Sequence, residues 1–248
     1  MRKITLTAIA CLGLLCAGAG LAEAHNPTLR CQQSKLAAQG DLQVCLALNS
    51  AEMLKGAPDH SAECQERLTR ELARIDAVAA REGTSCRYLA NGDGTVSDLN
   101  TALMWEQQTS TCSGEVTCDT NTYTWSRTGT APDGTAFTSF LATLNNGEAP
   151  YNGGSPSPIT GCLANHCDWR LPSIMELQGI VDLNASGCGA GSPCIDPIFG
   201  PTQSNDYWSA TTYAGNPFYA WIVYFNDGNV YTNGKTANVY VRAVRSGL

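Results

Sequence analysis

Ten cysteines that follow an export signal are the feature that most restricts the folds open to this chain. Of the 12 cysteines in the 248 residues, Cys11 and Cys16 lie in an apolar stretch that begins after Arg2-Lys3 and ends at Ala22-Glu23-Ala24. A basic start, an apolar segment and small residues at a cleavage site are typical of a secretory signal peptide. Removal of residues 1–24 leaves an even number of cysteines in an oxidising compartment, which predicts five disulfides.

Charge divides the mature chain into two parts. Residues 25–88 carry eight basic and eight acidic side chains, whereas residues 89–248 carry five basic and thirteen acidic ones, a net charge of -8. Nucleic-acid binding depends on Lys and Arg that neutralise phosphates, so the composition argues against such a partner. No segment after the signal is apolar enough to span a membrane. We expect an extracytoplasmic protein, periplasmic, secreted or at the cell surface, with a domain boundary between residues 88 and 89.

The first part has the sequence pattern of a helical hairpin. Apolar residues recur at helical spacing in residues 28–48 and again in residues 61–82, with Gly56-Ala57-Pro58-Asp59 as the turn. Ser61 is expected to cap the second helix, and Gly83 is expected to end it. Such a hairpin could act as a docking element or as a stapled spacer.

Cysteine spacing predicts how the ten mature cysteines pair. An antiparallel hairpin brings two distant pairs together, and three close pairs in the second part close short local loops. The predicted disulfides are Cys31–Cys86, Cys45–Cys64, Cys112–Cys118, Cys162–Cys167 and Cys188–Cys194. Instead of closing a disulfide loop, Cys162 and Cys167 could form half of a zinc site together with His166 and Asp168. A second pair of ligands at finger spacing is missing, however.

The second part alternates short strand and helix patterns, which predicts an α+β fold. A hairpin turn at residues 91–94 precedes a buried strand at residues 103–105, and Asp227-Gly228 marks another hairpin. One short helix is expected after Asp133 as its cap. A second is expected from Ser173 to Asn184, because Ser173 and Glu176 form a capping box. Further strands are expected at residues 207–213, 219–225, 229–232 and 239–244.

Four motifs in order resemble a known family. They are GDGTVSDLNTALMW, DWRLPSIMEL, SPCIDPIFGPTQSNDYWSATTY and VRAVRSG. Together they resemble the Lcl C-terminal-like family of exported bacterial proteins, over about residues 89–247. Two positions depart from the family pattern: Ala102 stands where glycine is usual, and Ala243 stands where cysteine is frequent.

The resemblance implies a C-type lectin-like domain with short helices and an antiparallel sheet. In this chain a disulfide-stapled α-helical hairpin, which the resemblance does not cover, precedes that domain. The resemblance also implies a secreted or surface-displayed binding module, since some relatives act as adhesins. The resemblance also implies a more distant relationship to the formylglycine-generating type of enzyme.

Side chains of the WRLP motif and of the last strand are expected to have structural roles. They are Trp169, Arg170, Pro172, Ser173, Glu176, Arg242 and Arg245. Arg170 is expected to pair with Asp168, Glu176 or another carboxylate rather than with a ligand. Arg242 and Arg245 lie three residues apart on a strand and therefore on opposite faces, which places one in a polar network and the other in solvent.

Neither cofactor nor metal is predicted. Residues 91–96 are similar to the middle of a calcium loop, but the loop position that needs a bidentate acid is Asn100. Residues 225–227 resemble the W-N-D calcium signature of sugar-binding C-type lectins, but the partner tripeptide E-P-N or Q-P-D does not occur. A hairpin turn explains each segment.

Catalytic motifs are missing from the sequence, which favours a binding protein over an enzyme. His166 is the one histidine in the family-like part, and no cysteine follows Cys194. The alternative is an exported hydrolytic or redox enzyme on the same scaffold, with a pocket where His166 or two carboxylates converge.

We therefore predict a non-catalytic binding or adhesion module that recognises a glycan or a protein surface. The acidic charge favours neutral sugars, a basic protein or a divalent cation over sulfated glycans. Strand alternation places Trp221, Val223 and Phe225 together on a face expected to be core. The polar rim expected to bind the ligand consists of Asn205, Asp206, Tyr224, Asn226, Asp227 and Asn229. The sequence does not specify the oligomeric state.

Overall fold

The computed structural model describes residues 26–146 and 161–247, so the predicted signal peptide lies outside the described residues. The chain divides into two units, the first ending at Arg87 and the second beginning at Tyr88. The division falls beside the change in charge along the sequence. Among the described residues, no helix is both long and apolar enough to cross a bilayer.

The first unit is an antiparallel pair of helices, α1 (Pro27–Met53) and α2 (Ser61–Arg81). Helix α1 begins where the Asn26 side chain accepts a hydrogen bond from the Leu29 N–H at 3.0 Å. The prediction that Ser61 caps α2 is wrong: Ser61 is the first helical residue, and its N–H donates to the Asp59 carboxylate at 2.8 Å. That bond is the main reason that the pKa of Asp59 lies below its usual value.

The hairpin has a small core of short side chains. It consists of Cys31, Ala38, Ile75, Ala79 and Cys86, with Leu68 packed against it. On α1 the buried face also includes Lys35, which is fully buried and forms an ion pair with Asp76 of α2. So little apolar surface is buried that covalent links are needed to hold the two helices together.

All five predicted disulfide pairings are present. Two connect the helices, at Cys31–Cys86 and Cys45–Cys64, and three close loops in the second unit, at Cys112–Cys118, Cys162–Cys167 and Cys188–Cys194. The alternative of a zinc half-site at Cys162 and Cys167 is wrong, because both sulfurs are bonded to each other and no thiolate is left to bind metal.

The second unit contains three antiparallel sheets. A four-stranded sheet has the order β1-β2-β3-β9, a two-stranded sheet pairs β4 with β8, and a three-stranded sheet has the order β5-β6-β7. The strands are β1 (Tyr88–Ala90), β2 (Thr95–Asp98), β3 (Leu103–Glu106), β4 (Tyr123–Thr124), β5 (Asp206–Thr212), β6 (Tyr219–Tyr224), β7 (Asn229–Gly234), β8 (Asn238–Val239) and β9 (Val244–Ser246). The unit is therefore α+β, with both predicted hairpin turns in place.

The last predicted strand, residues 239–244, is instead two short strands separated by four residues. Between them, the Tyr240 N–H donates to the Asp206 carbonyl and the Tyr240 carbonyl accepts from the Trp208 N–H. The Val244 N–H then donates to the Arg170 carbonyl. The backbone therefore moves from one sheet to another across this segment, which breaks the regular pairing.

Helices in the second unit are short. A π-helix (Ala136–Leu141) continues into α3 (Ala142–Asn146), and α4 spans Ile174–Gly179. Two further single-turn helices are Leu163–Asn165 and Pro197–Phe199.

Two expectations about the ends of these helices are wrong. Asp133 does not cap the helix that follows it; its carboxylate accepts hydrogen bonds from Arg127 N–H and Ser126 Oγ, at 2.8 and 2.9 Å, and closes the preceding loop. The helix from Ser173 stops at Gly179 instead of Asn184. The reason is that the Asp182 N–H donates to the Cys194 carbonyl, which draws the chain out of the helix.

Two apolar clusters make the core of this unit, and strands β5 and β6 contribute to both. Trp208, Ala220 and Ile222 belong to one cluster, which also contains Trp169 and Leu171 of the WRLP motif. Tyr207, Val223 and Phe225 belong to the other. Because successive strand residues point to opposite faces, the three-stranded sheet separates the two clusters.

Ala102, which stands where the family pattern usually has glycine, leaves the turn between β2 and β3 intact. Ala102 has a φ of 56°, in the left-handed region that favours glycine. The β-carbon therefore adds strain to a turn that still pairs Asp98 with Leu103.

Candidate functional site

The polar rim predicted from the sequence gathers at one end of the three-stranded sheet. Asp206, Tyr224 and Asn229 lie side by side across β5, β6 and β7. The flanking loops also meet, because Ser204 Oγ donates to Asn226 Oδ1 at 3.0 Å and the Phe225 N–H donates to the Asn205 carbonyl at 2.9 Å. The structure thus brings the six predicted residues together.

Several polar atoms of this rim are used to hold its own turns. Asn205 Oδ1 accepts from the Asp206 N–H at 2.8 Å, and Asp227 Oδ1 accepts from the Asn229 N–H at 2.9 Å. Burial raises the pKa of Asp206 above its usual value, and the negative charge of Asp227 raises it further. The rim is therefore an organised polar edge whose carboxylates lie close to each other.

A second surface on the same sheet consists of residues outside the set predicted to bind the ligand. We call Tyr213, Tyr219 and Trp221 the aromatic face. Strand pairing places Tyr219 across from Gly234 and Trp221 across from Thr232, and the Tyr213 N–H donates to the Tyr219 carbonyl at 2.9 Å. The rings of Tyr213 and Trp221 meet edge to face, with centroids 5.3 Å apart at 85°. Tyr213 is 37% exposed and Tyr219 39% exposed, so the rings are open to solvent.

The expectation that Trp221 belongs to the core with Val223 and Phe225 is wrong. Val223 and Phe225 are fully buried in an apolar cluster, but Trp221 is only partly buried. The cluster ends before it reaches Trp221, and the neighbouring side chains there are Tyr213 and Tyr219 instead of aliphatic residues. The sequence signal that could have revealed this face is the spacing of Tyr219 and Trp221, two residues apart on β6. Tyr213 lies on the other side of the turn that joins β5 to β6.

Backbone contacts fix the aromatic face in position. Ser209 Oγ donates to the Trp221 carbonyl at 2.7 Å and holds β5 against β6. The turn between the strands is shaped by Asn216, whose side chain accepts from the Phe218 N–H at 3.1 Å. A β-carbon at Gly215 would lie 2.7 Å from the Tyr213 ring, so only glycine lets that ring lie over the turn.

Arg242 is the buried centre of a polar network, as expected for one of the two terminal arginines. Its Nη1 donates to the carbonyls of Glu106 and Phe199, at 2.9 and 3.0 Å. Its Nη2 donates to Gln108 Oε1 at 2.9 Å and to Thr202 Oγ1 at 2.8 Å. One guanidinium therefore joins the end of β3 to the loop before β5, and its role is structural.

The expectation that Arg245 is solvated is wrong. Its side chain is only 13% exposed, and its Nε donates to Asp168 Oδ1 at 2.7 Å. This bond is the main reason that the pKa of Asp168 lies below its usual value. A contact between residues 77 positions apart buries the arginine, which strand alternation alone does not reveal.

Arg170 pairs with Glu176, one of the partners expected for it. Its two terminal nitrogens donate to the two carboxylate oxygens at 2.8 and 2.7 Å. The capping box is also complete, because Ser173 Oγ accepts from the Glu176 N–H and Glu176 Oε2 accepts from the Ser173 N–H. The arginine holds the pKa of Glu176 below its usual value. The group orients α4.

A groove of about 510 Å³ brings three carboxylates of the second unit near an apolar floor that includes Ile195. Asp182 and Asp196 each accept a backbone N–H of their own turn at 2.9 Å, from Asn184 and Ile198. Asp119 accepts from Gln203 Nε2 at 2.8 Å. These bonds give each carboxylate a role in organising its loop.

Metal-ligand chemistry has one candidate among the described residues, the cluster of Cys112, Cys118 and Asp119. The two sulfurs form a disulfide and so offer no thiolate.

Glu106 is the carboxyl group whose environment is most unusual. It is fully buried, and its Oε1 has no hydrogen-bond partner. Burial raises the pKa of Glu106 to about 7, although the nearby charge of Arg242 and the Ala243 N–H act in the opposite direction.

We expect the domain to lose stability as pH rises from about 4.5 to about 7. In that range the unfolded Glu106 ionises while the folded one keeps its proton, which costs roughly 3 kcal/mol over the interval. Glu106→Gln removes this effect. Urea unfolding at pH 4.5 and 7.5 should therefore show a gain in stability for the variant, relative to the unsubstituted protein, that is larger at pH 7.5. An equal difference at the two pH values would contradict the raised pKa.

Residues 94–245 match the model of the Lcl C-terminal domain, which is more than half of the chain. The chain belongs to this family. The Lcl C-terminal domain of this protein contains the aromatic face, the polar rim and the Arg242 network, while the helical hairpin lies before it. A search of curated proteins finds no match.

Proposed function

We propose that this Lcl C-terminal domain is an exported, non-catalytic binding module that holds neutral glycans on its aromatic face. The observation that carries the proposal is that the exposed rings of Tyr213 and Tyr219 lie beside the partly exposed Trp221 on one sheet surface. The proposal includes a C-type lectin-like scaffold, as the motif resemblance implies, and a location outside the cytoplasm. Five disulfides in the chain support that location, since they persist in oxidising compartments.

Aromatic side chains suit this task because each has an apolar body and a polar tip. Trp and Tyr rings pack against the C–H faces of a sugar, and the Tyr hydroxyls remain free to bond its own hydroxyls. The rings of Tyr213 and Trp221 are nearly perpendicular, so they form a corner and not a flat surface. A bent pyranose face can contact both rings of such a corner.

Charge indicates which glycans fit. The second unit has a net charge of -8, and Lys235, which directly follows β7, is buried over the Trp125 ring at 3.7 Å. Lys235 also donates to Thr130 and Thr212. Its charge is therefore engaged internally, and sulfated or other anionic glycans would meet repulsion. Neutral glycans would not meet this repulsion.

Pre-organisation supports binding over catalysis for this surface. The rings are held by backbone bonds of β5 and β6 and by Gly215, so little conformational freedom is lost when a ligand binds. A redox enzyme that used a free thiol would need an unpaired cysteine, and all ten cysteines from Cys31 to Cys194 are in disulfides.

Replacement of the central ring tests the proposal. Trp221→Ala should weaken glycan binding by roughly 30-fold or more, the range expected for a buried aromatic anchor of about 2 kcal/mol. Titration calorimetry with a neutral oligosaccharide selected on an array measures this change. Tyr231→Ala is the matched control, because Tyr231 is 49% exposed on the opposite face of the sheet and should leave affinity unchanged. Equal losses in both variants would refute the aromatic face as the site.

A further inference from the structure

The groove that contains Asp119, Asp182 and Asp196 has no cation among its lining residues, and we call it the acidic groove. Its other lining side chains are apolar or uncharged. Arg242 donates to Thr202 of the groove wall, but its two terminal nitrogens already serve four acceptors. Three carboxylates around a volume of about 510 Å³ therefore lack a counter-charge in the described part of the chain.

Each of these carboxylates is held through one oxygen and leaves the other open. Asp182 and Asp196 accept a backbone N–H through Oδ1, and no described residue donates to their Oδ2. Asp119 accepts from Gln203 through Oδ2. Its Oδ1 lies 3.9 Å from Cys112 Sγ, but that sulfur is in a disulfide and has no hydrogen to donate. Asp119 is only 8% exposed, and a buried carboxylate without a full set of donors indicates a positively charged ligand.

The spacing of the carboxylates excludes one metal ion as the ligand of all three. Oxygen ligands lie about 2.3–2.6 Å from a Ca²⁺ ion, and hence within about 5 Å of one another. Among the described residues, the group whose potential ligand atoms all lie within 4.8 Å is Cys112, Cys118 and Asp119. Asp119, Asp182 and Asp196 do not form such a group, so they suit a larger cationic ligand.

A basic peptide segment matches both the charge and the apolar floor of the groove. Lys and Arg have an aliphatic stem below the charged head, so the stem can cover Ile195 and Pro197 while the head meets a carboxylate. A glycan fits less well, because none of the lining side chains is aromatic and sugars stack on rings. The volume is within the range of about 300–1,000 Å³ that is typical of small-ligand sites, which accommodates a short extended segment.

The walls of the acidic groove are fixed before a ligand binds. The disulfides Cys112–Cys118 and Cys188–Cys194 close the loops that lead directly to Asp119 and Ile195. A β-carbon at Gly200 would lie 2.2 Å from a backbone oxygen of the neighbouring loop, so only glycine lets the wall pack there. Such pre-organisation lowers the conformational cost of binding.

We propose that the acidic groove binds an extended segment of a partner protein that contains lysine or arginine. The site is separate from the aromatic face, since neither Tyr213 nor Tyr219 nor Trp221 lines it. The net charge of -8 on the second unit adds long-range attraction, which speeds the encounter with a basic partner. The groove would hold such a protein whether or not the aromatic face binds a glycan.

Nuclear magnetic resonance titration of residues 25–248 with a basic pentapeptide tests the proposal. The peptide is acetylated and amidated Ala-Arg-Leu-Arg-Ala, and the comparison peptide has Glu in place of both Arg. The basic peptide should shift backbone amide signals of residues 182–202 with a Kd of about 1 mM or tighter at low salt. The affinity should fall at physiological salt, because salt screens the attraction. Neither the acidic peptide nor calcium chloride should shift these signals.

Removal of one carboxylate measures its contribution to peptide binding. Asp196→Asn keeps a side-chain oxygen for the Ile198 N–H and should weaken binding of the basic peptide about tenfold, as expected for a charged hydrogen bond. Asp133→Asn is the matched control. It also keeps an oxygen, for the Arg127 N–H of another loop, and should leave the affinity unchanged. Asp182→Asn replaces Asp196→Asn as the test if the latter changes signals throughout the domain.

Four results would overturn the proposal: no shift in residues 182–202 at peptide concentrations up to about 10 mM, equal shifts with the acidic peptide, shifts of the same signals with calcium chloride, or an equal loss of affinity in Asp133→Asn. Trp221→Ala should leave peptide binding unchanged, so failure of the aromatic-face proposal and failure of this one are distinguishable.

Discussion

Arg242→Ala should remove a large part of the folding stability of the Lcl C-terminal domain. The guanidinium is completely buried and donates four hydrogen bonds, to the carbonyls of Glu106 and Phe199 and to the side chains of Gln108 and Thr202. Truncation removes all four bonds, although the Tyr207 hydroxyl still donates to Gln108 Oε1 and the Gln108 N–H still donates to the Phe199 carbonyl. Removal of one partner from such a network typically costs about 3–5 kcal/mol, against a total stability of about 5–15 kcal/mol for a domain.

Urea unfolding followed by tryptophan fluorescence measures this loss. Arg245→Ala is the matched control, because it removes the same side chain three residues later, where the partner Asp168 is 56% exposed. Its ion pair is open to water on one side, so the expected cost is about 1 kcal/mol or less. If Arg242→Ala were no more destabilising than Arg245→Ala, the network would not be what holds β3 to the loop before β5.

Removal of the Cys31–Cys86 disulfide should unfold the helical hairpin and leave the Lcl C-terminal domain folded. The hairpin core is five residues, two of them the cysteines themselves. The bond spans 55 positions of sequence, and closure of a loop of that length stabilises by about 4 kcal/mol in the chain-entropy account. The small apolar core cannot replace that contribution.

Hydrogen exchange of a Cys31→Ser, Cys86→Ser variant measures the result by segment. Protection should disappear from α1 and α2 and persist in β2, β3 and β6. The comparison variant Cys112→Ser, Cys118→Ser opens a loop of only six positions, which is worth about 2 kcal/mol, and should leave the hairpin protected. A hairpin that stays protected without Cys31–Cys86 would mean that Cys45–Cys64 and apolar packing are enough to hold the helices together.

Features that depend on neighbouring residues were predictable from the sequence. The capping box of Ser173 and Glu176, the turn at Asp227-Gly228 and the close cysteine pairs all form within a few residues of each other. The long-range pair Cys31–Cys86 was also predictable, because two helices joined by one short turn have a single simple arrangement. These features were enough to predict the α+β class and the helical hairpin.

Features that depend on distant contacts were not predictable. Arg245 is covered by Asp168, and the helix after Ser173 ends early because the Cys194 carbonyl draws Asp182 away. In the same way, alternation placed Trp221 with Val223, but only the packed structure shows where the apolar cluster stops. The polar rim was located as a group, whereas the aromatic face emerged from tertiary structure.

The aromatic face and the polar rim both include residues of strand β6. On β6, Tyr219 and Trp221 carry the aromatic face, and Tyr224 at the other end of the strand belongs to the polar rim. Five residues of strand separate Tyr219 from Tyr224, about 17 Å. Because Tyr224 and Trp221 point to opposite faces, one monosaccharide cannot contact both.

A glycan array probed with residues 25–248 at low and physiological salt tests the central claim most directly. If the aromatic face binds neutral glycans, spots with neutral sugars should retain the protein equally at the two salt concentrations, and Trp221→Ala should abolish the signal. Binding that is confined to sulfated glycans and lost at physiological salt would contradict the account, because charge attraction and not ring stacking would then hold the ligand.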